Sequence, residues 1–187
     1  ILRVESYETY RNPVHFDELP GEKKKLTEVQ QEIADDFIRS YDAGDRTPVL
    51  LHGITGSGKT EVYMEMIDAM LQRGKQCIVL IPEIALTYQT LLRFYKRFGD
   101  AVSVMHSRLS AGERYDQMKR AKRGEVQVMI GPRSALFTPF QKLGLIIIDE
   151  EHETSYKSDS MPKYHAREVA VHLAEMTDAC VVMGSAT

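Results

Sequence analysis

The stretch Val49-Leu50-Leu51-His52-Gly53-Ile54-Thr55-Gly56-Ser57-Gly58-Lys59-Thr60 decides how this chain folds. Four β-prone residues run straight into the pattern GxxxxGKT, and Thr60–Arg73 continues at helical spacing. Strand, glycine-rich loop and helix in that order form a phosphate loop. The glycines let the loop wrap with its N–H groups inward, and the helix adds its positive dipole end. Gly53, Thr55, Gly56, Ser57, Gly58, Lys59 and Thr60 are therefore expected to hold a nucleoside triphosphate. Lys59 would reach the β- and γ-phosphates, and the Thr60 hydroxyl would ligate Mg²⁺. A glycine-rich turn with a chance lysine is the bland alternative, and the flanking elements argue against it.

A phosphate loop needs an acidic partner at a nearby strand end. Leu145-Ile146-Ile147-Ile148 supplies a strand, and Asp149-Glu150-Glu151-His152 sits at its carboxyl end. Asp149 is expected to hold the Mg²⁺, and Glu150 to orient or deprotonate the attacking water. Taken alone such residues are more often a solvated acidic turn; the phosphate loop shifts the balance. Glu151 reads as exposed.

Outward from these two segments, strands and helices alternate. Strand-like runs occur at Val49–His52, Cys77–Ile81, Val102–His106, Val126–Ile130, Leu145–Asp149 and Cys180–Met183. Helical spacing occurs at Thr60–Arg73, Ile84–Phe98, Ser110–Arg123 and Tyr164–Met176, with Gly74, Gly99, Gly124 and Gly144 at the joins. Leu26, Val29, Ile33 and Phe37 predict a further helix ending near Ala43-Gly44. Alternation with apolar strands predicts an α/β fold, a mostly parallel sheet flanked by helices on both faces. Residues 1–25 lack periodicity, carry Pro13 and Pro20, and read as a linker before one domain at 26–187.

The chain has 187 residues and a net charge of −3, which excludes a uniformly basic nucleic-acid coat but not a local phosphate-binding groove. Cys77 and Cys180 each lie in an apolar run, as buried free thiols of a reducing compartment do. No Cys/His spacing suggests zinc, and no apolar run is long enough to span a membrane. A cytoplasmic protein is expected. The opening at Ile1 and the stop at Thr187 suggest a piece of something longer.

Further motifs narrow the class. In order they are Leu26-Thr27-Glu28-Val29-Gln30, the phosphate loop continuing into Glu61-Val62-Tyr63, Ile81-Pro82-Glu83-Ile84-Ala85-Leu86-Thr87, and Met105-His106-Ser107. Then come Gly131-Pro132-Arg133-Ser134-Ala135-Leu136-Phe137, Asp149-Glu150-Glu151-His152, Tyr164-His165-Ala166-Arg167 and Gly184-Ser185-Ala186-Thr187. In this order and spacing the chain resembles the superfamily 2 helicases, and within them the PriA family of replication-restart DNA helicases. GSGKTEVY, RSALF and DEEH together are specific to that family; the phosphate loop alone is not.

The resemblance implies a RecA-like first motor domain that uses ATP with Mg²⁺. It implies that Gln30 contacts the adenine edge, with an exposed polar helix residue as the alternative. Pro82, Glu83, Thr87, Gly131, Arg133 and Ser134 would line the path of single-stranded or forked DNA, with Arg133 the charged phosphate contact. Helix capping is the alternative for Thr87 and Ser134; His106 and Ser107 would lie near the DNA path, with a plain surface turn as the alternative. His152, Ser185 and Thr187 would couple the nucleotide site to the DNA site. In the family an aromatic-rich loop follows the acidic motif and senses DNA. Met161-Pro162-Lys163 departs from the Trp-Arg pair usual there, which leaves Tyr156 as the expected base-stacking residue.

A second motor domain with an arginine finger, and a zinc module, would belong to the missing part of a full-length protein. Residues 1–25 would be the end of a DNA-binding region or its linker. Replication-restart proteins would be partners; the chain itself would be a monomer, bacterial and at the nucleoid when acting. The competing readings are another superfamily 2 translocase, for fork regression or repair, and a nucleotide-gated interaction module without motor activity. A small-molecule kinase fits poorly, because nothing resembles an acceptor-substrate site.

Overall fold

A computed structural model describes residues 25–54, 56–159 and 161–186. The expected linker, apart from Lys25, and the site candidates Thr55 and Thr187 lie outside the described residues. The elements are α1 Glu28–Asp42, β1 Val49–His52, α2 Lys59–Gln72, β2 Gln76–Leu80, α3 Tyr88–Phe98, β3 Val102–Val104 and α4 Ala111–Lys122. They continue with β4 Val128–Gly131, β5 Leu143–Ile148, α5 Ala166–Thr177 and β6 Cys180–Ser185. Short 3₁₀ turns occupy Arg133–Phe137 and Thr154–Tyr156.

The six strands pair in parallel throughout, in the order β1-β6-β5-β2-β4-β3. The alternation of side chains along each strand builds two cores. Cys77, Val79, Leu145 and Ile147 pack on one face with Phe37 of α1, Met66 and Met70 of α2 and Phe94 of α3. Ile78, Leu80, Ile146 and Ile148 pack on the other with Ala121 of α4 and Ala170 and Ala174 of α5. This is the α/β sandwich that the alternation of elements predicted. Cys77 and Cys180 are both buried free thiols, and burial pushes each thiol's pKa up. No helix of the described residues is long and apolar enough to cross a membrane.

Among the boundaries that differ from the sequence expectation, three have a clear local reason. The segment from Ile84 is not helical: Ala85 and Leu86 N–H groups both turn back to the Pro82 carbonyl, and α3 starts only after Thr87. Thr87 is extended, and its side chain caps α3 by accepting from the Thr90 N–H at 3.2 Å. Helix α5 starts after His165, which pairs with Lys157 in an antiparallel bridge; its Nδ1 accepts from the Arg167 N–H at 3.2 Å. Gly144 is no join but lies inside β5. A Cβ there would stand 2.7 Å from the Lys75 Cβ and 3.2 Å from the Tyr41 hydroxyl.

That slot gives a direct test. Gly144→Ala should cost about 1–3 kcal/mol in chemical denaturation, the usual penalty for forcing extra volume into a packed interior. An unchanged unfolding midpoint would mean that the strand and the β2 approach are looser than described.

Candidate functional site

All six strands end on one edge, so the loops after β1, β2, β3, β4 and β5 lie together with the end of β6. In open parallel sheets that edge is where ligands bind. The loop after β1 is closed at its far end by Gly58, at φ 87°, a left-handed backbone that glycine adopts without penalty. A side chain there would also collide with the Gln30 amide. Lys59 then opens α2 with its side chain 8% exposed. Its Nζ donates to the Gly53 carbonyl at 2.6 Å and stands 3.7 Å from Glu150 Oε1. The ammonium thus bridges both ends of the loop and the acidic motif, where an incoming phosphate could exchange with these acceptors.

Asp149 and Glu150 follow β5. The main chain is pinned on both sides, because Asp149 N–H donates to the Leu80 carbonyl at 2.9 Å and Glu151 N–H to the Gly184 carbonyl at 2.8 Å. Glu150, between them, has φ 48°, an uncommon backbone for a residue with a Cβ and one that recurs at functional sites. Burial raises the Asp149 carboxyl above its ordinary value, and the Tyr63 hydroxyl, which donates to Oδ1 at 3.0 Å, works against that shift. The described residues contain no group of three or more His, Cys, Asp or Glu suited to a metal. A carboxylate such as Asp149 and a hydroxyl such as Thr60 are donor types suited to Mg²⁺, which keeps most of its shell as water and phosphate oxygen. They do not form a self-sufficient metal cage.

The remaining candidates fall into two groups. Ser185 and His152 border the nucleotide site: the Ser185 carbonyl accepts from Gly53 N–H at 3.0 Å, and His152 Nε2 lies 3.8 Å from Glu150 Oε2. Gln30 reaches the loop too, but by another bond than the adenine contact. Its Nε2 donates to the Ser57 carbonyl at 3.2 Å, while its Oε1 accepts from Thr27 N–H at 3.0 Å in a capping box of α1. Glu151 is not simply exposed; its Oε2 lies 3.5 Å from Arg167 NH1.

Glu83, Arg133 and Ser134 come together around a groove of about 700 Å³ near the ends of β2, β4 and β3, whereas Pro82 and Gly131 are buried and do not line it. Glu83 accepts a hydrogen bond from the Ser107 hydroxyl, and Ser134 is exposed on its 3₁₀ turn. Within the groove the His106 Nδ1 is buried with no hydrogen-bond partner among the described residues. Thr87, with its hydroxyl engaged in the α3 cap, has the structural role that was its alternative.

One expectation needs correction. Tyr156 offers no ring face for stacking: it is 1% exposed, and its hydroxyl donates to the Asp149 carbonyl at 2.6 Å and the Leu80 carbonyl at 3.1 Å. An apolar ring on a 3₁₀ turn beside an apolar core buries, and its hydroxyl finds the strand-end carbonyls. The rings open to the groove are instead Phe137, 55% exposed, and Tyr164, which meet edge to face at 5.6 Å. Arg133, expected as the charged phosphate contact, has its NH1 bonded to the Ser155 carbonyl at 2.9 Å and the Lys157 carbonyl at 2.7 Å. The residues after Tyr156 form a closed excursion, with Ser158 N–H bonded to the Tyr164 carbonyl at 2.8 Å. The motif that contains Tyr63 assigns it no role, although its place one helical turn after Lys59 is a usable signal.

A glycine-rich loop opening a helix, and an acidic strand end two strands away on a wholly parallel sheet, define the phosphate-loop nucleotide-binding class. Residues 23–187 match the family described as "Type III restriction enzyme, res subunit", and the chain belongs to that family. It is 50% identical over 189 residues to the replication restart protein PriA of Bacillus subtilis, covering all of this chain and 23% of that protein. With PriA of Chlamydia pneumoniae it shares 47% identity over 169 residues, 90% of this chain and 23% of the relative. The chain spans less than a quarter of the length of these relatives. Among solved structures, one described as "Structure of RecG bound to three-way DNA junction" matches with a TM-score of 0.64 and 24% identity, over 88% of this chain and 21% of that one. That likeness shows a shared fold, the RecA-like one.

Release of the Arg133 clamp is measurable. Arg133→Ala should speed tryptic cleavage after Lys157 by about tenfold or more, since each lost bond to a charged donor is worth about 1.5–3 kcal/mol. Unchanged cleavage would show that Arg133 does not hold this segment.

Proposed function

We propose that this chain is the ATP-binding first motor domain of a DNA helicase that restarts stalled or repaired replication forks. One observation carries the reading. The Lys59–Glu150–Asp149 centre and the groove of Arg133 and Phe137 share a single segment, Asp149–Lys157, tied to both. A motor needs such a segment, because loss of the γ-phosphate must reach the DNA contacts. The 50% identity to replication restart proteins along the whole chain supports the same assignment.

In this reading Lys59 leaves the Gly53 carbonyl for the phosphates, and Thr60 and Asp149 hold the Mg²⁺. The bound ion neutralises charge on the phosphate oxygens. Glu150 takes the proton of the attacking water, and His152 and Ser185 report its state to neighbouring strand ends. DNA lies in the groove, with bases against Phe137 and Tyr164 and phosphates near Ser134 and Lys157. An opposing motor domain with an arginine finger, any zinc site and the contacts to restart proteins belong to the rest of a protein about four times this length. Without that finger, turnover falls by orders of magnitude.

The tests follow directly. The chain should bind ATP and ADP, hydrolyse ATP slowly and unwind nothing; DNA-stimulated turnover equal to that of the full-length protein would refute the division of labour. Lys59→Ala should remove nucleotide binding or nearly so, as judged by calorimetry. Phe137→Ala should weaken single-stranded DNA binding by about 1–3 kcal/mol, the worth of one stacked base. Nucleotide binding with indifference to DNA would favour a nucleotide-gated interaction module instead.

A further inference from the structure

Each of the two cores sends a buried tyrosine to the same acid. Tyr156, from the α4–α5 side, bonds the Asp149 main-chain carbonyl and is 1% exposed. Tyr63, from the α1–α2 side, is also 1% exposed and bonds the Asp149 side chain at Oδ1. Packing alone would accept phenylalanine at position 63 with no polar atom to satisfy. A hydroxyl placed in a core costs free energy unless it is bonded, and this one has its bond only at Asp149 Oδ1 among the described contacts.

The neighbouring strand makes room for that hydroxyl. Gly184 lies on β6, between the phosphate-loop strand β1 and the acid's own strand β5, in register with Leu51. A Cβ at Gly184 would overlap the Tyr63 hydroxyl, sit 3.0 Å from its ring carbon Cζ and 3.1 Å from Asp149 Oδ1. No side chain other than hydrogen leaves the slot open. Helix α2 delivers the other half: Lys59 and Thr60 stand in its first turn, and Tyr63 follows them at i+4 and i+3 on the same face. The element that grips the phosphates therefore also grips the acid across from them.

We propose that Tyr63 is a positioning residue for the metal acid: its hydroxyl, housed over Gly184, fixes one oxygen of Asp149 and presents the other to nucleotide-bound Mg²⁺. Tyr63 is 1% exposed and its hydroxyl is bonded to Asp149 Oδ1, so its influence passes through Asp149. This assignment rests on the nucleotide reading above and adds to it a hydroxyl–glycine pair that sets cation affinity rather than nucleotide affinity.

The two affinities separate experimentally in the chain itself. Binding of a fluorescent ADP is measured first in EDTA and then through a Mg²⁺ titration. Tyr63→Phe, which keeps the ring, should leave the metal-free ADP affinity unchanged. It should raise the Mg²⁺ concentration at half-effect on the order of tenfold, as loss of a ligand's outer hydrogen bond does. Gly184→Ala should move the Mg²⁺ midpoint in the same direction, and by less when made in the Tyr63→Phe background, because the displaced hydroxyl is then absent. A purely structural bond would lower the melting temperature and leave the midpoint alone, and that result overturns the proposal. So would strict additivity of the two changes. Should Tyr63→Phe fail to fold, Gly184→Ala decides on the same titration. If the unaltered chain takes up no ADP in either condition, the nucleotide reading itself falls; if it binds ADP and only the midpoint is unmoved, the Tyr63 assignment alone falls.

Discussion

A wholly parallel sheet cannot be closed by hairpins, so each strand must be covered on both faces and every crossover must return to the same starting edge. Everything else here follows from that constraint. β2 and β5 are buried along their whole length because helices lie above and below them. The carboxyl ends of all six strands meet on one edge, and the polar loops that cannot enter either core collect there. A charged lysine and two carboxylates can then stand close together without being sunk in hydrocarbon.

At that edge two neighbouring sites share one strand end. Asp149 and Glu150 face the phosphate loop, while the turn that follows them carries Tyr156 into the opposite core and leaves its backbone carbonyls to Arg133. The segment has few free degrees of freedom. Its start is bonded to β2 and β6 through Leu80 and Gly184, and its far end is closed by the Lys157–His165 bridge. Glu150 and the groove wall are therefore joined by a short, bonded stretch of main chain.

The correction at Tyr156 and the engagement of Arg133 share one physical origin. Tyr156 and Arg133 were read by residue type, as an aromatic ring and a cation beside a nucleic-acid path. Type gives the capacity to stack or to bind phosphate; burial and partner decide whether it is used. Tyr156 had an apolar core within reach, and Arg133 had the Ser155 and Lys157 carbonyls within reach. The same logic explains why Phe137, quoted only as part of a motif, emerges as the exposed ring.

Local sequence determined the phosphate loop, the acidic strand end, β1 to the residue and the α/β alternation, because these are set by residue spacing and by backbone preferences acting within one turn or strand. The Thr27–Gln30 capping box of α1 is local in the same sense. Tertiary structure alone decided the strand order, the pairing of Tyr63 with Asp149, the slot at Gly184 and the turning of Arg133 onto Ser155 and Lys157. Those partners stand 86 residues apart for Tyr63 and Asp149 and 22 for Arg133 and Ser155. No periodicity spans such distances; only the closing of the sheet and the filling of its two cores bring the groups together.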